Sequence, residues 1–277
     1  MKKSFLILFL GVFFAYNAFS QSCCQMPATD AFADLADEES FRMSHDLPKP
    51  YKHFSDVGKD ITFKAADGTT AYAYELRAAK ASNKYIFVIH EWWGLNDHIK
   101  REAEKIYKDL GDVNVIALDL YDKQVATTRE EAAQYMQSVR TERAENIIRG
   151  AFAYAGKKAR IGTIGWCFGG GWSLQAAILA EKQARACVIY YGMPEKDTEK
   201  LKKLKADVLG IFASKERWIS PAIVDEFEKN LSTLKKKNSI NRFNAEHAFA
   251  NPSNPNYDKE ATDKAYQLTL AFFRKKM

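Results

Sequence analysis

The sequence predicts an α/β fold, built as a single domain, in which a mostly parallel central sheet has helices on both faces. Three observations predict it. Short apolar stretches of strand length alternate with longer stretches of helical period. The strand-like stretches are near-continuously apolar, as in a sheet buried on both faces. Finally, 47% of the 277 residues are hydrophobic, which is enough for one sizeable core.

The first half of the predicted sheet opens with a hairpin. Asp67-Gly68, a dipeptide preferred in tight turns, separates two alternating stretches. Gly111 is a stop signal for a helix, and Thr128 with Glu131 forms a capping box that opens another. In this half we predict strands over 61–65, 71–76, 85–90 and 113–118, a helix over 97–110, a helix that begins after Thr128, and a second helix that ends at about 155.

The second half repeats strand and helix in alternation. Its last helix has Ala261, Ala265, Leu268 and Phe272 on one stripe, which indicates a face packed on the core. We predict strands over 160–165, 186–191, 207–212 and 240–243 and helices over 168–182, 221–234 and 260–275.

The N-terminus reads as a secretory signal peptide over residues 1–20. A basic start precedes an apolar run over 5–16 that is too short to span a membrane, and small residues lead to a cleavage site after Ser20. We therefore expect an exported protein, periplasmic or secreted, without a membrane span; the alternative is a lipoprotein anchored at Cys23. Residues 21–55 read as a polar N-terminal extension, and residues 56–277 as the α/β domain.

Charge and cysteine spacing exclude several classes of partner. The net charge of +6 is scattered, and the lysine clusters lack interleaved aromatic residues, so no nucleic-acid partner is predicted. No Cys-x-x-Cys or His-x-x-x-His spacing occurs, so neither a metal site nor a cofactor is predicted. Cys187 reads as a small buried strand residue. We expect a monomer or weak dimer acting on a small molecule.

Four reactive residues follow predicted strands: Glu91, Cys167, Glu216 and His247. Because parallel strands end at the same edge of a sheet, we expect all four at one edge, where sites of such folds form. In IGWCFGGG, Cys167 occupies a sharp strand-to-helix turn, and a helix N-terminus favours a thiolate. The alternative for Cys167 is a plain glycine-rich turn.

The order nucleophile, acid, histidine is that of the α/β-hydrolases. His247 would move the thiol proton, and Glu216 would fix the imidazole tautomer. Their alternatives are a surface histidine and a solvated loop charge. Glu91 precedes Trp92-Trp93, which would desolvate it, raise its pKa and make it a base for the thiol; its alternative is a structural carboxylate that caps backbone N–H groups.

Five ordered motifs carry a family resemblance over about residues 58–277. They are IHEWWGLN (89–96), LDLY (118–121), GWCFGG (165–170), YYG (190–192) and EHAF (246–249), followed by Asn251-Pro252 and Tyr257-Asp258. The chain resembles the dienelactone hydrolase (carboxymethylenebutenolidase) family of α/β-hydrolases.

The resemblance implies a Cys-His-acid triad that opens cyclic enol esters. Cys167 would be the nucleophile, His247 the general base and acid, and Glu91 the glutamate that helps raise the thiolate as substrate binds. The oxyanion hole would be the backbone N–H groups of Phe168 and Trp92. The expected activity is hydrolysis of a small activated ester or lactone through an acyl-enzyme. The alternatives are a general carboxylesterase or thioesterase on the same site, or a non-catalytic binding protein that retains the fold.

The chain differs from the family at the triad acid and at two positions that would hold the substrate. Glu216 stands where the family has an aspartate, which lengthens the arm by one methylene. Lys123 and Asn251 stand where the family has two arginines for the substrate carboxylate, so that carboxylate would be held less well. The resemblance also places Tyr121 and Trp93 among the substrate-binding residues.

Overall fold

Eight strands form one mixed sheet in the computed structural model, which describes residues 26–277. The strand order is β1-β2-β4-β3-β5-β6-β7-β8. The pairs β1–β2 and β2–β4 are antiparallel, and every other pair is parallel. The strands are β1 Gly58–Lys64, β2 Thr70–Leu76, β3 Lys84–Ile89, β4 Asn114–Asp119, β5 Arg160–Trp166, β6 Ala184–Tyr190, β7 Asp207–Ala213 and β8 Asn238–Phe243.

Helices cover both faces of this sheet. They are α1 Ala28–Ala33, α2 Glu39–Met43, α3 Asp97–Leu110, α4 Arg129–Ser138, α5 Thr141–Ala155, α6 Phe168–Leu179, α7 Thr198–Lys203, α8 Pro221–Thr233 and α9 Lys259–Lys276. Short 3₁₀ turns occupy Asp34–Asp37 and Glu181–Gln183. The predicted α/β-hydrolase fold, with a mostly parallel sheet between helical layers, is confirmed.

The junction of β5 and α6 lies at the centre of the core. The residues of α6 from Phe168 to Ile178 are buried, as are those of β5 after Arg160. Thr163 Oγ1 donates to the carbonyl of Ser173 at 2.9 Å, and Ser173 Oγ donates to the carbonyl of Val188 at 2.8 Å. These buried bonds join α6 to β5 and β6, so the turn between strand and helix has a fixed position.

Most predicted elements occur within two or three residues of their expected bounds. The helix predicted over 168–182 ends at Leu179 and passes into a 3₁₀ turn. Helix α7 was not predicted; Asp197 caps it by accepting from the N–H of Glu199. The capping box at α4 is half formed. Thr128 Oγ1 accepts from the N–H of Glu131, but the Glu131 carboxylate bonds the N–H of Thr127, one residue earlier than expected.

The part of the N-terminal extension that the structure describes, from residue 26, packs against the domain. Phe32 of α1 and Phe41 of α2 are buried in the common core, and His45 follows α2 into the interior. Between residues 26 and 277 no helix is long and apolar enough to cross a membrane. The predicted signal peptide, Cys23 and Cys24 lie outside the described residues, so export and the lipoprotein alternative stay predictions.

Candidate active site

Cys167 lies alone between the last residue of β5 and the first residue of α6. Its backbone has φ 56° and ψ −122°, a conformation that residues with side chains rarely adopt and that persists only where surrounding structure imposes it. A Cβ on Gly165 would lie 2.0 Å from the carbonyl oxygen of Gly169, and one on Gly169 would lie 2.3 Å from that of Ile89. The two glycines therefore permit the sharp turn, which brings Sγ to the carboxyl edge of the sheet.

His247 reaches the sulfur from the loop after β8. Its Nε2 lies 3.4 Å from Cys167 Sγ, and its Nδ1 lies 2.6 Å from Glu216 Oε1. Because Glu216 accepts the Nδ1 proton, Nε2 is the nitrogen that exchanges a proton with the thiol. All three side chains are buried. They form one continuous chain from carboxylate to imidazole to sulfur.

Glu216 spans the distance to His247 in spite of its extra methylene. It lies in the loop after β7, where the N–H of Ile219 contacts Oε1 at 3.4 Å. The other oxygen, Oε2, is buried and has no hydrogen-bond partner among residues 26–277. The glutamate thus makes its one strong bond to the imidazole.

Burial and neighbouring charge shift the pKa values of Cys167 and His247 in opposite directions. Burial raises the pKa of the Cys167 thiol, and His247 opposes that effect. For His247, burial alone would lower the pKa, but the Glu216 carboxylate and the Cys167 sulfur outweigh burial and raise the pKa well above its usual value. Glu216 therefore favours a protonated imidazole beside the sulfur.

Glu91 lies two residues after the end of β3 and is buried, as are Trp92 and Trp93, which follow it. Burial raises the pKa of its carboxyl from 4.5 to about 7, although His247 and the Asn251 amide favour the charged form. Asn251 Nδ2 donates to Glu91 Oε2 at 2.7 Å, and Asn251 Oδ1 accepts from both the N–H and the hydroxyl of Ser253. The amide is thereby oriented with its donor toward Glu91.

The segments that carry the expected oxyanion donors lie side by side. Phe168 begins α6, and Trp92 follows the end of β3. A Cβ on Gly169 would lie 2.4 Å from the carbonyl oxygen of His90, so the start of the helix and the end of the strand touch through their backbones. The N–H groups of Phe168 and Trp92 therefore belong to adjoining segments at the edge that carries Cys167.

The expected substrate-binding residues separate into three places. Trp93 and Asn251 line a cleft together with Glu91 and Arg101. Tyr121 is buried and does not line this cleft; its ring lies 4.6 Å from that of His90, and its hydroxyl has no hydrogen-bond partner within the described part of the chain.

Lys123 does not reach this cleft. Its ammonium lies 5.4 Å from the ring centroid of Tyr72 and lines a different cavity with Asp119 and Val125. The cation in the cleft is Arg101, on α3, which the sequence did not single out; its guanidinium also bonds Glu102 at 3.2 Å.

His45 is the second residue that the sequence did not single out. Its Nε2 lies 3.9 Å from Cys167 Sγ, on a ring packed 4.7 Å from Trp92 and 5.1 Å from His247. Nδ1 bonds the carbonyl of Phe41 at 2.7 Å. Burial, with a contribution from His247, lowers the pKa of His45 to about 3, so the ring is neutral. The signal in the sequence that could have indicated it was the spacing of four residues between Phe41 and His45, which is typical of one face of a helix.

Sequence comparison finds putative carboxymethylenebutenolidases among the relatives of this chain. The chain is 24% identical over 252 aligned positions to a putative carboxymethylenebutenolidase of Saccharolobus solfataricus, covering 77% of this chain and 97% of that protein. A putative carboxymethylenebutenolidase of Aquifex aeolicus is 23% identical, covering 79% of this chain and 98% of that one.

Solved structures share the fold. A putative dienelactone hydrolase of Klebsiella pneumoniae superposes with a TM-score of 0.66 at 21% identity, covering 79% of this chain and 99% of that one. A dienelactone hydrolase-like promiscuous phosphotriesterase, P91, from metagenomic libraries superposes with a TM-score of 0.65 at 20% identity, covering 79% and 98%. The model of the dienelactone hydrolase family matches residues 70–277, three quarters of the sequence, and the chain therefore belongs to that family.

Proposed function

We propose that this member of the family hydrolyses a small activated ester or lactone through a cysteinyl acyl-enzyme. One observation carries the proposal: the contact of 3.4 Å between Cys167 Sγ and His247 Nε2, continued by the bond of 2.6 Å to Glu216. A thiol, a base and a carboxylate that orients the base are the parts that nucleophilic catalysis requires.

The first half of the reaction forms the acyl-enzyme. The thiol proton passes to His247, directly or by way of Glu91, and the sulfur attacks the carbonyl carbon to form a C–S bond. The carbonyl electrons move to oxygen, which the N–H groups of Phe168 and Trp92 would stabilise. When the oxyanion collapses, the C–O bond to the leaving group breaks, and the leaving oxygen takes the proton from His247.

The second half returns the enzyme to its starting state. His247 takes a proton from water, and the resulting hydroxide attacks the thioester carbon. The C–S bond then breaks, the carboxylic acid leaves, and the thiolate recovers its proton from His247. An enolate or phenolate suits this site because a good leaving group departs readily from the tetrahedral intermediate.

The raised pKa of Glu91 supports a role for its carboxylate as the first acceptor of the thiol proton. A carboxyl with a pKa of about 7 can take a proton from a thiol near neutral pH, whereas one with an ordinary pKa of 4.5 is a weaker base. Glu91 also lines the cleft through which Trp93 and Asn251 are reached. A substrate in that cleft would contact Glu91 and Trp166, the residue that precedes Cys167.

The substrate class is tested by a panel of a dienelactone, p-nitrophenyl acetate and a short acyl thioester. We expect p-nitrophenyl acetate to be hydrolysed. The dienelactone should be hydrolysed with a higher KM than p-nitrophenyl acetate, because neither Lys123 nor Arg101 would be free to hold its carboxylate: Lys123 faces a different cavity, and Arg101 is paired with Glu102. Steady-state kcat and KM for each compound decide. A clear preference for the thioester would favour a thioesterase, and turnover of none would favour the binding-protein alternative.

Replacing Glu91 by glutamine is expected to change the pH profile. In the native protein kcat/KM should rise with pH until Glu91 ionises at about 7 and then level off. The variant should lose this limb and fall about 100-fold at pH 7.5. Kinetics from pH 5 to 9 check this, with Glu246→Gln, which removes an exposed carboxylate outside the cleft, as the control. An unchanged limb near pH 7 would refute the role.

The same variant has a stability signature whose sign follows from the raised pKa. Glu91 binds its proton more tightly in the folded state, so ionisation destabilises the fold as pH rises from 4.5 to about 7. Glu91→Gln should therefore raise the free energy of unfolding by up to about 3 kcal/mol at pH 8 and leave it unchanged near pH 4. Urea unfolding at both pH values measures this difference.

A further inference from the structure

Three potential metal-ligand atoms converge beneath the N-terminal segment. His45 Nε2, Cys167 Sγ and His247 Nε2 all lie within 4.8 Å of one another. The sulfur is 3.4 Å from one nitrogen and 3.9 Å from the other. The hydrolytic mechanism uses Cys167 and His247 but gives no role to His45, which lies outside residues 70–277 that match the family model.

We propose that His45, Cys167 and His247 form a binding site for a zinc ion. Zinc takes thiolate sulfur at about 2.3 Å and imidazole nitrogen at about 2.0–2.1 Å, so a tetrahedral ion separates sulfur from nitrogen by about 3.6 Å. The two observed separations lie within a few tenths of an ångström of that value. The third pair, His45 Nε2 and His247 Nε2, lies within 4.8 Å, and a tetrahedral ion would bring these two nitrogens to about 3.3 Å, so the imidazoles would have to approach each other.

Both imidazoles are already oriented as zinc ligands. The Nδ1 of His45 donates to the carbonyl of Phe41 at 2.7 Å, and the Nδ1 of His247 donates to Glu216 at 2.6 Å. A hydrogen bond from one ring nitrogen to a carbonyl or carboxylate leaves the other nitrogen as a bare ligand, and this is the usual second contact of zinc histidines. In each ring the remaining nitrogen, Nε2, is the one that faces the sulfur.

Packing holds the three ligands in place. His45, Cys167 and His247 are 3%, 1% and 4% exposed, so little side-chain freedom remains to be lost when an ion binds. The ring of Phe41 lies 4.4 Å from His45, and that of Tyr191 lies 5.1 Å from His247. Sequence spacing could not reveal the cluster, because His45 and His247 are 122 and 80 residues from Cys167.

The charge balance fits a divalent cation. Zinc binding would displace the protons of the Cys167 thiol and of His247 Nε2; a thiolate and two neutral imidazoles then leave one positive charge on the ion, and the Glu216 carboxylate lies one hydrogen bond away. Three protein ligands leave a fourth position for water or a small anion. Zinc at this site and nucleophilic attack by Cys167 exclude each other, since both use the same sulfur lone pairs.

The test measures metal binding directly and does not depend on turnover, so it remains decisive if the proposed hydrolysis fails. The full chain carries Cys23→Ser and Cys24→Ser throughout, which leaves Cys167 and the buried Cys187 as its cysteines. Zinc affinity is measured by competition with a chromophoric chelator. Cobalt(II) is used as a spectroscopic probe, because a thiolate ligand gives a charge-transfer band in the near ultraviolet. Thermal unfolding with and without zinc completes the set.

We expect one zinc ion per chain, a cobalt charge-transfer band that Cys167→Ser abolishes, and a zinc-dependent rise in Tm. His45→Phe keeps a ring in the same space and should lower zinc affinity at least about 100-fold. His45→Gln should show the same loss, and His98→Phe, a histidine outside the cluster, should show none. Equal zinc affinity in folded His45→Phe and native protein, or no thiolate band in the native protein, would overturn the proposal.

Discussion

Replacement of Cys167 by alanine is expected to lower kcat/KM for p-nitrophenyl acetate at least about 1000-fold. In the proposed mechanism the sulfur forms the bond to the acyl carbon, and in the variant His247 Nε2, which lies 3.4 Å from that sulfur, would have no thiol to deprotonate. The residual rate would come from His247 acting on water beside the oxyanion donors. Stopped assays of variant and native protein at equal folded concentration measure the ratio.

Cys187 offers a matched control because it is the other cysteine within residues 26–277. It is fully buried in β6, with its sulfur 3.9 Å from Ser173 Oγ, and burial raises the pKa of its thiol to about 12. Cys187→Ala makes the same chemical deletion away from the sheet edge and should keep kcat within about twofold of native. Loss of activity in both variants would point to instability, and retention in Cys167→Ala would remove the nucleophile from the proposed mechanism.

Replacement of Glu216 by glutamine is expected to lower kcat about 1000-fold with little change in KM. The amide has the shape of the carboxylate but no charge, so it neither stabilises the imidazolium nor enforces the Nδ1–H tautomer of His247. The effect should appear in kcat because His247 carries its positive charge during the reaction.

Two further variants of the acid test this reasoning. Glu216→Asp keeps the charge on a shorter arm and should recover part of the lost rate. Glu246→Gln, an exposed neighbour of His247, should behave as native. If Glu216→Gln retained native kcat, the bond of 2.6 Å would have only a structural role.

The fold followed from sequence because its signals are local. The buried strands β3 and β4 are continuous apolar runs, and α3 begins and ends at the predicted residues since Asn96 caps its start and Gly111 its end. Helix α7 has only six residues, is rich in lysine and shows little hydrophobic periodicity. Its capping residue, Asp197, was therefore too weak a signal to predict a helix.

The site was predictable only where residues follow strands. Cys167, Glu216 and His247 meet because parallel strands end together, and that rule needs no tertiary detail. Lys123 could not be located, because its side-chain direction depends on a positive φ of 76° in the loop after β4. His45 could not be located either, because its position depends on the burial of Phe32 and Phe41 against the domain.

Because Cys167 is buried, the affinity for a substrate that reacts with it would depend on the N-terminal segment as well as on the cleft. Cys167 is 1% exposed, and His45 Nε2 lies 3.9 Å from its sulfur, so under the proposed mechanism a substrate would need a form of the chain in which His45 has moved away from the sulfur. Each ~1.4 kcal/mol that favours the covered form lowers apparent affinity about tenfold. Arg129 contributes to that balance, because it donates to the carbonyl of His45 at 2.8 Å and to Asp46 at 2.6 Å. Contacts that never touch a substrate thereby help to set the concentration at which it binds.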